Sequence, residues 1–96
     1  MRNILATAEF DTWFDSLRDV KTRARIQMRI DRIEGGNFGD VKPVGDGVLE
    51  MRFFLGAGYR VYFILRGDEI IILLAGGDKD TQDKDIKKAI QLSKEV

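Results

Sequence analysis

Apolar and polar positions alternate with a period of two from Val48 to Leu65, and two β-strands joined at Gly56-Ala57-Gly58 account for the pattern. β-branched and aromatic residues dominate both arms, as a pleated, half-buried surface favours. A three-residue loop ending in glycine suits a type I turn with a bulge. It would pair Leu55 with Tyr59, Phe54 with Arg60 and Arg52 with Tyr62. Leu49, Met51, Phe53, Val61, Phe63 and Leu65 then share a core face, and Glu50, Arg52, Arg60 and Tyr62 share the other. Two guanidinium groups and a phenol on one sheet face suggest a binding surface. An ion pair between Glu50 and an arginine on a solvated face is the plainer alternative.

Elsewhere the period is helical. Phe10, Trp13, Phe14 and Leu17 recur at i, i+3, i+4 and i+7, a stripe expected in the core, behind Thr7 as the cap. Arg2 to Ala6 reads as a short first strand that joins a sheet edge. Asp19 caps a second helix from Val20 to about Glu34, with Ile26, Ile30 and Ile33 as its buried seam and Gly35-Gly36 as its stop. Residues 37–47, with the only proline, Pro43, read as a loop. Ile70 to Leu74 is apolar without alternation, which calls for cover on both faces of a third strand running from Glu69 to Ala75. Asp80 or Thr81 caps a last helix whose apolar face is Ile86, Ala89, Ile90 and Ser93. The prediction is an α+β fold, two N-terminal helices packed on an antiparallel meander with a C-terminal helix.

Ninety-six residues make one domain, spanning 1–96. The hydrophobic fraction of 44% and charged fraction of 33% fit a globular chain. Without cysteine there is no disulfide or thiolate metal site, and without histidine the commonest general base is missing. Sixteen basic residues balance sixteen acidic ones, which argues against indiscriminate nucleic-acid binding and leaves room for a local basic site. No targeting or membrane-spanning pattern is visible, so a cytoplasmic location is expected.

The basic residues are not scattered evenly. Arg25, Arg29 and Arg32 fall at i, i+4 and i+7 on one side of the second helix. Such a rail follows a phosphate backbone, or is simply a solvated face. Asp78, Asp80, Asp83 and Asp85 lack the spacing of a calcium loop and suit a helix N-terminus without any metal, so no metal or cofactor is expected.

Gly47-Val-Leu-Glu-Met-Arg52, Gly58-Tyr-Arg-Val-Tyr62, Leu73-Leu-Ala-Gly-Gly-Asp-Lys-Asp-Thr-Gln-Asp-Lys-Asp-Ile86 and the Gly-Asn-Phe-Gly-Asp stretch at 36–40 together resemble the phage-derived addiction module killer protein family. That family belongs to the RelE/ParE toxin superfamily and is related to HigB-type toxins. The resemblance implies a RelE-like fold and a toxin of a type II toxin-antitoxin module, held inactive by a helix-turn-helix antitoxin encoded nearby. Many superfamily members cut messenger RNA on the ribosome, whereas the ParE branch poisons DNA gyrase. By this resemblance Arg60 would hold the scissile phosphate, Arg52 matches a basic position on the preceding strand, and Lys79 matches a cationic position after the third strand. The C-terminal segment lacks the tyrosine or histidine that better-known nucleases carry there.

The residue chemistry is compatible with metal-independent RNA cleavage. The ribose 2′-OH must lose a proton, the pentavalent phosphate must be stabilised and the 5′-oxygen must regain a proton. Arginine serves the second task through its planar fork and permanent charge. Lys79 or Lys42 serves proton transfer if neighbouring cations depress its pKa; Glu50 and Tyr62 are the alternative base and donor. Arg60, Arg52 and Lys79 are thus the candidate catalytic residues, Lys42, Tyr62 and Glu50 the candidate substrate-binding residues, and Arg25, Arg29 and Arg32 the candidate RNA or ribosome contacts. A non-nuclease toxin acting on a protein target such as gyrase, and a non-catalytic partner-binding module, stand as alternatives.

Overall fold

In the computed structural model, which describes residues 2–96, the chain runs as β1 (Asn3–Ala6), α1 (Ala8–Ser16), α2 (Val20–Glu34), β2 (Val41–Gly45), β3 (Val48–Arg52), β4 (Arg60–Arg66), β5 (Ile70–Gly77), a 3-10 turn (Lys79–Thr81) and α3 (Gln82–Ser93). The strands form one sheet in the order β1-β5-β4-β3-β2. β2 to β5 are an antiparallel meander, and β1 pairs in parallel with β5 along the opposite edge. The described residues make an α+β domain with five strands and three α-helices. Among the described residues no helix is long and apolar enough to cross a membrane.

The helices divide between the two sheet faces. Phe10 from α1 and Ile26, Ile30 and Ile33 from α2 pack with Met51, Phe53, Val61, Phe63, Ile71 and Leu73. Ala89 and Leu92 from α3 pack with the alternate positions Val48, Tyr62, Ile64, Ile72 and Leu74 on the far face. The unbroken apolar run of β5 therefore has the cover on both sides that it needs. Two adjacent glycines let that cover come close. A Cβ on Gly76 would collide with the Trp13 ring from α1, and one on Gly77 with the Asp85 carboxylate from α3.

The caps join local structure to packing. Thr7 Oγ1 accepts from Phe10 N at 3.1 Å and donates to Leu74 O at 2.6 Å, so the start of α1 is tied to β5. Asp19 Oδ1 accepts from Lys21 N at 3.1 Å to open α2. Ahead of α3 the side-chain cap is Asp78 rather than Asp80 or Thr81. It accepts from the backbone of both, because a 3-10 turn intervenes before the helix.

Three further expectations change. The segment read as a loop contains strand β2, and Pro43 lies within it. β2 is the last strand of the sheet, and an edge strand tolerates a proline because one side of it needs no ladder donor. The β3–β4 register is displaced by two residues. Arg52 faces Arg60 and Glu50 faces Tyr62, while residues 53–59 form the connection, closed by Gly58 N donating to Leu55 O at 3.1 Å. A shift of two preserves the faces, so the core assignment stands. Leu65 is the exception, at 40% exposure.

Phe63 is wholly buried and stacks on Phe38 with ring centroids 6.3 Å apart. Phe63→Ala should therefore cost about 3–5 kcal/mol. Chemical denaturation of the two proteins checks it, and a midpoint unchanged from wild type would contradict the assigned core face.

Candidate functional site

Strand pairing sets five polar residues in two rows on the α3 side of the sheet. Glu50 stands between Lys42 of β2 and Tyr62 of β4, and Arg52 stands beside Arg60 in the next row. A solvated face is the plainer expectation, yet Glu50 and Tyr62 have no exposed surface at all. A lone carboxylate cannot be buried cheaply, so it must gather partners. Tyr62 Oη donates to Glu50 Oε2 at 3.0 Å and Gln82 Nε2 of α3 donates to the same oxygen at 2.9 Å. Arg60 Nε lies 3.6 Å from Oε2 and Lys42 Nζ lies 3.8 Å from Oε1, ion contacts too long to be hydrogen bonds. Burial first, then the hydrogen bond to Glu50 and its charge, push the Tyr62 phenol well above the ordinary tyrosine range. Direct substrate contact by Glu50 and Tyr62 is corrected accordingly: both are enclosed beneath α3.

The second row is more open. Arg52 Nη2 pairs with Asp40 Oδ1 at 2.9 Å, and that hydrogen bond raises the guanidinium's pKa above its usual value. Asp40, just before β2, also uses its backbone: its carbonyl accepts from Arg52 N at 3.2 Å and from Arg29 Nη2 at 3.3 Å. Arg29 Nη1 donates to Arg52 O at 2.7 Å, and its guanidinium lies over the Phe53 ring, 4.8 Å from the centroid. Burial lowers the Arg29 pKa. Arg29 is thus a strut between α2 and the end of β3, half-buried, and it still lines one cleft with Arg25 and Arg32. Arg25 and Arg32 remain exposed on α2.

Lys79 reaches this row where the chain leaving β5 passes the β3–β4 connection. Lys79 N donates to Ala57 O at 3.2 Å. A Cβ on Gly58 would meet both Lys79 Cβ at 3.2 Å and Arg60 Nη1 at 3.3 Å. Arg52, Arg60 and Lys79 consequently line one cleft of about 390 Å³, walled by Phe54 and Leu55. Arg60 Nη1 donates to Gly58 O at 2.5 Å; among the described residues no hydrogen bond occupies Arg60 Nη2 or Arg52 Nη1. Lys42 lies on the other side of Glu50 and does not line this cleft. A larger cleft of about 620 Å³ between α1 and α3 mixes Glu9, Asp78 and Asp85 with Lys84 and Lys88, and offers no convergence of one charge. Of the C-terminal aspartates, Asp78 caps the 3-10 turn and Asp85 accepts from Thr81 Oγ1 at 2.5 Å, so these carboxylates already have protein partners.

A cationic cleft beside a buried carboxylate is what comparison with known proteins must explain. The family described as phage derived protein Gp49-like (DUF891) matches residues 12–95, from within α1 past the end of α3. The chain belongs to the Gp49-like family. An uncharacterized protein of Haemophilus influenzae is 48% identical to it over 93 residues, covering 97% of this chain and 94% of that one.

In this Gp49-like domain two residues of the site were not legible as such. Asp40 lay in a stretch read as loop, and its only signal was a carboxylate just before an edge strand. Gln82 gave none, because a glutamine in a first helical turn looks like any surface residue. The pH dependence follows from Tyr62. Its folded pKa is raised, so the stabilisation is whole below the ordinary value of 10.0 and is lost as pH rises above that value. In a spectrophotometric titration the phenolate signal of Tyr62 should appear only with unfolding, and Tyr62→Phe should lessen the loss of stability above about pH 10.

Proposed function

We propose that this Gp49-like protein is the toxin of a type II toxin-antitoxin module, with a RelE-like arrangement of helices and sheet, and that it cleaves ribosome-bound messenger RNA in the cytoplasm. The observation that carries the reading is the placement of Arg52 directly opposite Arg60, with Lys79 on the same cleft. Like charges facing each other across strands are destabilising. Asp40 and Glu50 offset the pair. Arg52 Nη1 and Arg60 Nη2, which carry no hydrogen bond among the described residues, are the donors left for a shared anion. The sequence resemblance to addiction module killer proteins and the family match on residues 12–95 are consistent with it.

On this reading the scissile phosphate lies between the two forks. The 2′-OH attacks phosphorus, the bond to the 5′-oxygen breaks, and a 2′,3′-cyclic phosphate is left. Arg60 and Arg52 bear the charge that builds on the non-bridging oxygens, the service a preorganised donor performs best. Lys79 is the proton carrier, since Glu50 and Tyr62 are enclosed. Lys42, Arg25 and Arg32 serve the longer-range approach to RNA or ribosome. A helix-turn-helix antitoxin encoded nearby would cover the cleft.

A second reading is favoured by one observation. The chain has no histidine, and its two tyrosines are Tyr62, buried, and Tyr59, packed against Trp13 with centroids 6.5 Å apart. Such a site suits a toxin that grips a protein target such as gyrase without cleaving anything.

The test uses wild type, Arg60→Lys and Arg60→Ala. Arg60→Lys keeps a cation beside Glu50 and loses the fork, so it should melt near wild type and lose about 10²–10³ in cleavage rate on purified ribosomes, with relief of growth arrest. Arg60→Ala should also lose about 1–3 kcal/mol of stability, because it strips a partner from a buried carboxylate. Growth arrest that survives in both variants would rule this site out. Arrest by wild type with no RNA cleavage would transfer the conclusion to the second reading.

A further inference from the structure

Phe54 is 84% exposed, the most exposed of the large apolar side chains among the described residues. It stands in the β3–β4 connection as the wall between two clefts. On one side is the cleft of Arg52, Arg60 and Lys79. On the other, a cleft of about 480 Å³ runs between α2 and the connection, bordered by Arg25, Met28, Arg29 and Arg32. Among the described residues no carboxylate lines either one. In a chain with equal numbers of acidic and basic residues, two adjoining acid-free clefts mark a surface for an anion longer than a single phosphate. The wall between them is aromatic, and the Arg52 guanidinium sits 5.8 Å from its ring centroid.

Cations on both sides of an exposed ring match a strand whose charge repeats and whose bases present flat faces. We infer that Phe54 is a stacking platform for a base of single-stranded RNA, flanked by a phosphate at Arg52 and Arg60 and a further phosphate at Arg25 and Arg32. This rests on the reading of the Arg52–Arg60 cleft as a phosphate site and adds to it a base subsite and a direction for the strand, across the connection toward α2. An apolar protein segment fits less well, because Met28 is the other strongly exposed apolar side chain there and the rim is cationic. Stacking on one aromatic side chain tolerates every base, so the subsite contributes affinity and position rather than a sequence code.

The test measures binding separately from cleavage. The full-length chain, made by cell-free synthesis, is titrated into a fluorescent RNA hexamer and its DNA counterpart, with anisotropy read at several salt concentrations. Phe54→Ala should weaken binding of both hexamers by about 5- to 150-fold, the worth of one stacked base, while Phe54→Trp retains it. Removing the ring should leave the salt dependence unchanged, and Arg25→Ala with Arg32→Ala should lower the slope of log affinity against log salt by about 0.7 for each phosphate no longer neutralised. Melting of Phe54→Ala should match wild type, since the ring is exposed. Wild-type affinity in Phe54→Ala, or no binding by wild type, overturns the inference. Unchanged RNA affinity together with loss of a co-purifying protein overturns it in favour of a protein partner. Cleavage on ribosomes is assayed in parallel: Phe54-dependent binding without cleavage sinks the ribonuclease and spares the subsite, and cleavage indifferent to Phe54 does the reverse.

Discussion

The carboxylate of Glu50 is the constraint on which this site depends. It has no exposed surface, and its neighbours come from three other elements: Lys42 from β2, Arg60 and Tyr62 from β4, and Gln82 from α3. Burying an ion is costly enough that removing a partner does more harm than the pair does good. The network therefore specifies geometry more than it adds stability. It tells α3 where its first turn must lie, because only there does Gln82 reach Oε2. It also restrains Arg60, whose Nε is drawn toward the carboxylate while Nη1 is bonded to Gly58 O. Two anchors on one guanidinium leave little freedom to its remaining nitrogen.

The neighbouring arginine is held differently. Arg52 pairs with Asp40, and both side chains are about one-third exposed, where solvent and salt weaken the attraction. Arg60 is 15% exposed and its carboxylate is fully enclosed. Charges act more strongly where water is excluded, so Arg60 is the firmer of the two cations and Arg52 the more adaptable. The two carboxylates together make the opposed arginines tolerable in the free protein without covering their terminal nitrogens.

What the sequence disclosed follows from how such features are written in it. The helical stripes, the caps Thr7 and Asp19 and the doubly covered β5 were legible because each follows a period or a fixed offset. β2 was hidden by Pro43 and its flanking glycines, which look the same in a loop and in an edge strand. The hairpin faces were legible and the register was not, since a displacement of two residues leaves every side chain on its own face. Least legible was the burial of Glu50 and Tyr62. Glu50, Arg52, Arg60 and Tyr62 spell an ion-paired surface as readily as a covered network. What distinguishes them is α3, whose Gln82 follows Glu50 by 32 residues and hydrogen-bonds to it. Arg29 was legible in part: helical spacing placed it with Arg25 and Arg32, whose cleft it lines, and only the approach of β3 also made it a strut.

The absence of histidine and the enclosure of both Glu50 and Tyr62 bear on any chemistry assigned to the cleft. Proton transfer there has few carriers, so the weight must fall on electrostatics and alignment. Alignment supplies large factors when the reacting atoms are already placed, and fixed donors act without reorganising as charge develops. Glu50 gives Arg60 that fixity. If it cleaves RNA as proposed, a site of this kind gains most when something else delivers the strand in an in-line conformation, as a ribosome holding messenger RNA would. The balance of charge fits the same logic. A strongly basic domain would be titrated by every nucleic acid in the cell, whereas under the proposal a neutral one with two acid-free clefts would confine attraction to the surface around Phe54. On the proposed reading, specificity would lie in the presentation of the substrate, and the protein's contribution would be a rigid pair of forks set beside an aromatic wall.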